Sequence, residues 1–410
     1  MKNGSMRNRF LLCQTLVFLA LASLFLFSCA MAENADTVSQ AQNLTKACVI
    51  SGTVDQRHVA RLMDDKYPTY WDGTGGELTI TLPEGVSAQG VSISFFRNAP
   101  ALRVEALNGQ NEWTQVAAFE DAYLNAYIPF DAAGSFRLRA ADPAAVLKIS
   151  KFSVWGEGKL PASVERWTRL EENADLMLVV THPDDDIIWF GGLLPTYAGE
   201  KGKKVMAVYV AGEPSAQRKN ELLEGLWTCG VHYYPEIGPF PDLNARNLEI
   251  ARNKWGKDAA AEYITGLLRK YRPPVVVTQD IKGEYGHFQH ILTVQSVIEA
   301  VTKMAADPAY AKESAALYGV FSPSKLYLHR WRKNEIVFDW SQPLSAFDGR
   351  SGFDVADEAF EKHVSQKKTH YHVYRSGTYD SQRMGLYWTA VGPDEDKNDI
   401  FEHVAQQASK

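Results

Sequence analysis

Leu176-Met177-Leu178-Val179-Val180-Thr181-His182-Pro183-Asp184-Asp185-Asp186 is an apolar run that ends abruptly in one imidazole and three carboxylates. Its length and Leu/Val content predict a strand covered on both faces, as in a parallel sheet. Ile187-Ile188-Trp189-Phe190 restarts apolar burial as a helix, and Pro183 suits the first turn of that helix, where its missing N–H costs nothing. The carboxyl end of a parallel strand beside a helix N-terminus is where open α/β sheets place their ligands. A second reading stays open: acids at a helix start favour the macrodipole and cap free N–H groups in many proteins.

A matching junction about a hundred residues on shifts the balance towards a site. Pro273-Pro274-Val275-Val276-Val277-Thr278-Gln279-Asp280 is again a short apolar strand, followed by Ile281-Lys282-Gly283-Glu284-Tyr285-Gly286-His287-Phe288-Gln289-His290 and a helix-period run over 291–304. Between them the junctions hold a mixed nitrogen and oxygen set, His182, Asp185 and His290, which suits zinc with an open position for water. Asp184 is then free to act as a base.

At these residues the sequence resembles the PIG-L/LmbE-like family of zinc-dependent N-acetylglucosamine deacetylases, whose marks are His-Pro-Asp-Asp-Glu after the first strand and a Gly-His-x-x-His element further on. The resemblance implies His182, Asp185 and His290 as metal ligands and Asp184 as general base. It also implies His287 or Tyr285 as donor to the oxyanion, with His287 as imidazolium protonating the departing amine. Asp186 stands where the family usually has Glu, and Phe288-Gln289 replaces a Pro-Asp pair, removing a carboxylate that would orient a histidine. Arg218-Lys219-Asn220-Glu221-Leu222 resembles the family's Arg-x-x-Glu segment, which makes Arg218 a substrate contact. A solvated charged helix face is the alternative there.

Outward from this core, the N-terminus carries Lys2, Arg7 and Arg9 and then an apolar stretch over 10–27, the pattern of a secretory signal covering 1–28. Leu26-Phe27-Ser28-Cys29 looks like a bacterial lipobox with Cys29 lipidated, Ala30-Met31-Ala32 offers an ordinary cleavage site, and an uncleaved anchor is the third option. An extracytoplasmic protein follows, secreted or held at a bacterial cell surface. Residues 29–46 read as a linker. Cys48 and Cys229 either bridge two domains or remain buried thiols, and four cysteines do not make a disulfide scaffold.

Residues 47–158 change texture to short alternating runs, over 76–82, 90–96, 135–139 and 146–154, broken by Gly, Pro and Asn. Such spacing predicts a β-sandwich. The segments Leu62-Met63-Asp64-Asp65, Tyr70-Trp71-Asp72-Gly73 and Ile149 through Gly156 resemble the discoidin-like, galactose-binding sandwich often attached to extracellular glycan enzymes. Tyr67, Tyr70 or Trp71 would stack on a sugar ring in that setting, with core packing as the alternative.

From 162 to 410, a strand over 202–210, helices over 215–227 and 259–271, an edge strand at 326–329 and a helix over 355–364 alternate. That order predicts a largely parallel, Rossmann-like α/β sheet with helices on both faces. Trp340, Tyr387 and Trp388 are candidates for a cleft wall, with packing against the sheet as the alternative. A net charge of −6 and a pI near 6.0 provide no basic footprint for nucleic acid. The expected activity is therefore zinc-dependent hydrolysis of the N-acetyl group of a glycan or glycoconjugate. Two alternatives remain: an impaired glycan-binding surface protein, and an amidohydrolase acting on a non-sugar N-acyl substrate.

Overall fold

The computed structural model describes residues 39–405, apart from 172 and 214. The expected signal and Cys29 lie outside the described residues. Among the described residues no helix is long and apolar enough to cross a membrane.

Nine strands make the N-terminal half: β1 (Val49–Gly52), β2 (Trp71–Asp72), β3 (Glu77–Thr81), β4 (Ala88–Phe95), β5 (Leu102–Leu107), β6 (Trp113–Phe119), β7 (Asn125–Ala133), β8 (Ser135–Ala140) and β9 (Lys148–Trp155). They form two antiparallel sheets, in the orders β1-β3-β8-β5-β6 and β2-β9-β4-β7. Period-two alternation aims one face of each strand inward. In β8, Phe136 and Leu138 are buried between the sheets while Arg137 and Arg139 turn outward to reach Glu105 at 2.6 and 2.8 Å. β1, β2, β5, β6 and β7 lie outside the runs that the sequence marks as strands. Pro129 and Asp131 argue against a strand at β7, and they are tolerated because β7 is the edge of its sheet.

Two expectations need correction here. Residues 39–46 are not free linker: Ala41 N–H donates to Lys159 C=O, and Thr45 Oγ1 accepts from Val154 N–H, which docks the segment on the sandwich. Nor do the three aromatics form a sugar platform. Trp71 is fully buried with its indole N–H on Val54 C=O, Tyr70 packs on Phe96 at 4.5 Å, and Tyr67 donates its hydroxyl to Glu224.

The C-terminal half is one seven-stranded sheet, built from β10 (Leu176–Val180), β11 (Val205–Gly212), β12 (Glu236–Pro241), β13 (Val275–Thr278), β14 (Lys325–His329), β15 (Glu335–Val337) and β16 (Arg383–Thr389), in the order β12-β11-β10-β13-β14-β16-β15. The first five strands in that order are parallel; β16 is antiparallel to both β14 and β15. In β10, Leu176, Leu178 and Val180 enter one core, and Met177 and Val179 enter the other. The first core is closed by α1 (Asp185–Ile188), α2 (Ala216–Thr228) and a later helix over Gly352–Lys362. The second is closed by α3 (Leu248–Trp255), α4 (Ala259–Tyr271) and α5 (Phe288–Ala306). α6 (Lys312–Tyr318) follows α5 on the surface, and the Gly352–Lys362 helix is α7.

Three readings change in this half. The helix after the acids is a single turn, and Pro183 precedes it. The strand expected at an edge, β14, is instead paired on both sides, by β13 and β16. β12, unread because it carries Pro239 and Pro241, is a true edge.

The two halves interlock. Tyr123 of the sandwich stacks on Tyr234 at 4.1 Å, the Tyr234 hydroxyl accepts the Leu124 N–H at 3.0 Å, and both Tyr123 and Leu124 belong to the first α/β core. Asn125 and Trp167 both donate to one oxygen of Glu165, at 2.8 and 2.5 Å. Cys48 and Cys229 are both free thiols, so among the described residues no bridge links the halves.

Candidate metal centre and its pocket

β10 lies at the point where the strand order reverses, with β11 on one side and β13 on the other, so a crevice opens at its carboxyl end. His182 and Asp185 follow β10; His290 arrives on the first turn of α5, after the turn that leaves β13. His182 Nδ1, Asp185 Oδ2 and His290 Nε2 converge there in a triangle with edges of 3.0, 3.3 and 3.3 Å. Donors about 2.0–2.1 Å from a tetrahedral zinc stand roughly 3.3 Å apart, so this set fits that ion.

Each ligand candidate is held from behind. The outer nitrogen of His290 faces Glu284 Oε2 at 2.8 Å, and Glu284 in turn faces His329 at 3.2 Å, a buried His–carboxylate–His row. His182 Nε2 faces Gln289 at 3.3 Å and Asp242 at 3.4 Å. These partners face the outer nitrogen of each ring, so that in the neutral imidazoles His182 Nδ1 and His290 Nε2 aim a lone pair at the centre. Asp185 accepts the Trp189 indole N–H on one oxygen and the His182 backbone N–H on the other, both at 2.7 Å. Burial works against its charge, yet His290 and His182 hold its carboxyl well below the usual range. Burial likewise disfavours a charged His182, but Asp185 and Asp242 override it and raise the imidazole to about 10.

Asp184 sits beside this triangle under different conditions. Burial and the Asp185 charge push its carboxyl well above the carboxylate range, against the pull of Arg218 at 3.8 Å. Its φ of 121° is costly for a residue with a Cβ. Its carbonyl holds the conformation by accepting the Ile187 and Ile188 N–H groups. Arg218 is no solvated face residue: it pairs with Glu213 at 3.0 Å, donates to Pro183 C=O at 3.2 Å and lines the pocket mouth with Asp242.

The pocket over the triangle is about 160 Å³, walled by Trp189, Tyr285, His287 and Tyr371. The His287 ring stands 4.9 Å from that of His182, its Nδ1 is buried without a partner, and burial with the two neighbouring imidazoles pushes it down to about 4. Its nitrogen lies within 4.8 Å of the His182 and His290 donors, a looser approach than that of Asp185. Tyr285 is half exposed at the rim, 5.7 Å from His287 ring to ring.

Trp340, Tyr387 and Trp388 do not wall the pocket. Trp340 stacks on Phe338 in the core, and the other two pack on the opposite side of the sheet. Trp189, Asp242, Glu284 and His329 belong around the site and escaped the sequence reading. Trp189 lies four residues after Asp185, a helical spacing that was available as a signal. Glu284 supplies the orienting carboxylate that Gln289 lacks, reaching it through a turn in which Gly283 has φ 68° and a Cβ would fall 2.5 Å from the His287 carbonyl. Gln289 instead ties down the end of β12 through Pro241 C=O and Leu243 N–H. Asp186 is buried beside the Tyr209 hydroxyl, and burial pushes the acid up to about 7 against the pull of that hydroxyl and of nearby backbone N–H groups.

Comparison with known proteins finds similar sequences over this half of the chain. The family model described as PIG-L, GlcNAc-PI de-N-acetylase, matches residues 177–301. A 1D-myo-inositol 2-acetamido-2-deoxy-alpha-D-glucopyranoside deacetylase of Catenulispora acidiphila is 29% identical over 213 residues, 45% of this chain and 64% of its own length. Among solved structures, the N,N'-diacetylchitobiose deacetylase of Pyrococcus horikoshii is similar over 47% of this chain and 71% of its own, at 23% identity and a TM-score of 0.34. An F5/8 type C domain from Bacteroides fragilis matches over 30% of this chain and 99% of its own, at 16% identity and a TM-score of 0.25. Residues 177–301 of this chain thus match the PIG-L family model, and an N-terminal β-sandwich precedes them.

Proposed function

We propose that the protein is a zinc-dependent deacetylase that hydrolyses the N-acetyl group of N-acetylglucosamine-containing glycans or glycoconjugates. The observation that carries this reading is the converging triangle of His182, Asp185 and His290 with a buried carboxyl of raised proton affinity, Asp184, at its side. The strand order, reversing at β10, supports a Rossmann-like winding for this half. The apolar N-terminal stretch supports export, with the surface-anchored form through Cys29 as one route.

His182, Asp185 and His290 would hold the ion, and when bound zinc would supply Lewis acidity towards the amide carbonyl and towards water. Asp184 takes the proton from the attacking water, and its raised proton affinity makes it a suitable keeper. It then returns that proton to the amide nitrogen, which leaves poorly as an anion. The imidazolium role expected for His287 does not suit a group pushed down to about 4; as a neutral ring it donates N–H to the developing oxyanion instead. Tyr285 at the rim and Arg218 at the mouth orient the sugar. Zinc stoichiometry with acetate release from N-acetylglucosamine tests the reading: turnover that needs one bound zinc supports it, and metal-free turnover refutes it.

A further inference from the structure

The pocket at the triangle, about 160 Å³, is smaller than the roughly 300–1,000 Å³ that ordinary ligand sites enclose, so it admits little more than the acylated end of a substrate. Beside it lies a groove of about 1160 Å³, and the two share Arg218 and Asp242 as a common wall. The edge strand β12 lines this groove along its length, together with Asn98 and Tyr123 from the sandwich. Beyond Asn98 and Lys219 it runs on into a further pocket of about 460 Å³ formed by residues 96–98 of the sandwich and the start of α2.

The chemistry of the groove narrows its occupant. Four acidic and four basic side chains line it, so it has no net bias towards a polyanion. The side chains of Asn98 and Lys219 make no hydrogen bond or ion pair with other described residues, and Tyr318 is 40% exposed at the end of α6. An amide, an ammonium and a phenol ring are groups that grip hydroxyls and sugar faces.

We infer that this groove holds further sugar units of the chain whose acetylated residue enters the pocket, which makes the substrate an oligomeric or polymeric glycan gripped by both halves of the protein. The inference rests on the deacetylase reading above, and the sandwich acts in it as part of the substrate cleft.

The test uses the full-length zinc-loaded protein, with N-acetylglucosamine and its oligomers of increasing length as probes, and compares wild type with Lys219→Ala, Asn98→Ala and Tyr318→Ala. The wild-type KM is expected to fall as the chain lengthens. Each variant should raise the oligomer KM by roughly threefold to tenfold, the worth of one hydrogen bond or ring contact, and leave monosaccharide turnover unchanged. Calorimetric binding of the longest oligomer should weaken in the same variants. Turnover independent of chain length, or variants that slow monosaccharide and oligomer alike, overturns the groove assignment. Oligomer binding that the variants weaken without any acetate release refutes the deacetylase reading and leaves the groove standing.

Discussion

Asp184 and Asp185 are adjacent in sequence and opposite in proton affinity: burial and the Asp185 charge raise that of Asp184, and two imidazoles lower that of Asp185. Asp184→Asn is therefore expected to keep zinc and to lose roughly a hundredfold or more of turnover, while His182→Ala or His290→Ala loses the metal; zinc analysis beside rates decides this. His287→Ala should retain zinc, and an emptied site would move it into the ligand set. Glu284→Gln weakens the hold on His290, with about a 10- to 100-fold loss of zinc affinity. His182 carries a proton up to about 10 without metal, so binding near neutrality should release that proton and tighten as pH rises, which calorimetry in buffers of different ionisation heat reads directly. The ligand candidates were legible in the sequence because His182 and Asp185 directly follow an apolar strand, and His290 opens the helix that comes after the turn beyond β13. Glu284 and His329 were not, since their role depends on two chain segments meeting behind His290.

At the scale of elements, the parallel strands could be read because each is a continuous run buried on both faces, as β10 and β13 are. β7 and β12 could not, because their prolines mark them as loops until the sheet order shows them to be edges. The connector between the halves carries a pH prediction. Burial raises the Glu165 carboxyl from 4.5 to about 7, only partly offset by Asn125 and Trp167. Between those two values the unfolded chain has released this proton while the folded chain retains it. This group's contribution therefore makes stability fall as pH rises from about 4.5 to 7. Glu165→Gln should remove that slope, which denaturant melts at pH 5 and pH 7 will show; an unchanged slope assigns the pH dependence elsewhere.

For the molecule as a whole, a sandwich and an α/β half that follow one another in sequence suggest separable domains, and the interface argues otherwise. Tyr123 and Leu124 sit in the core of the α/β half, so a fragment beginning near 161 uncovers Tyr234. We expect one cooperative unfolding transition for the full chain, and Tyr123→Ala to lower it by about 3–5 kcal/mol, as truncation of a buried ring does. Two resolved calorimetric transitions would restore the separable sandwich. The outermost strand has one more consequence. Pro239 and Pro241 deprive the rim of β12 of two N–H groups, and Gly238 fits against β11 only because it has no side chain, a Cβ there falling 2.2 Å from the Val210 carbonyl. A rim of that kind makes a poor template for another chain's strand, so the free border of the sheet resists the edge-to-edge association that seeds fibres, and the surface beside it stays bare even where many copies of the protein are crowded together.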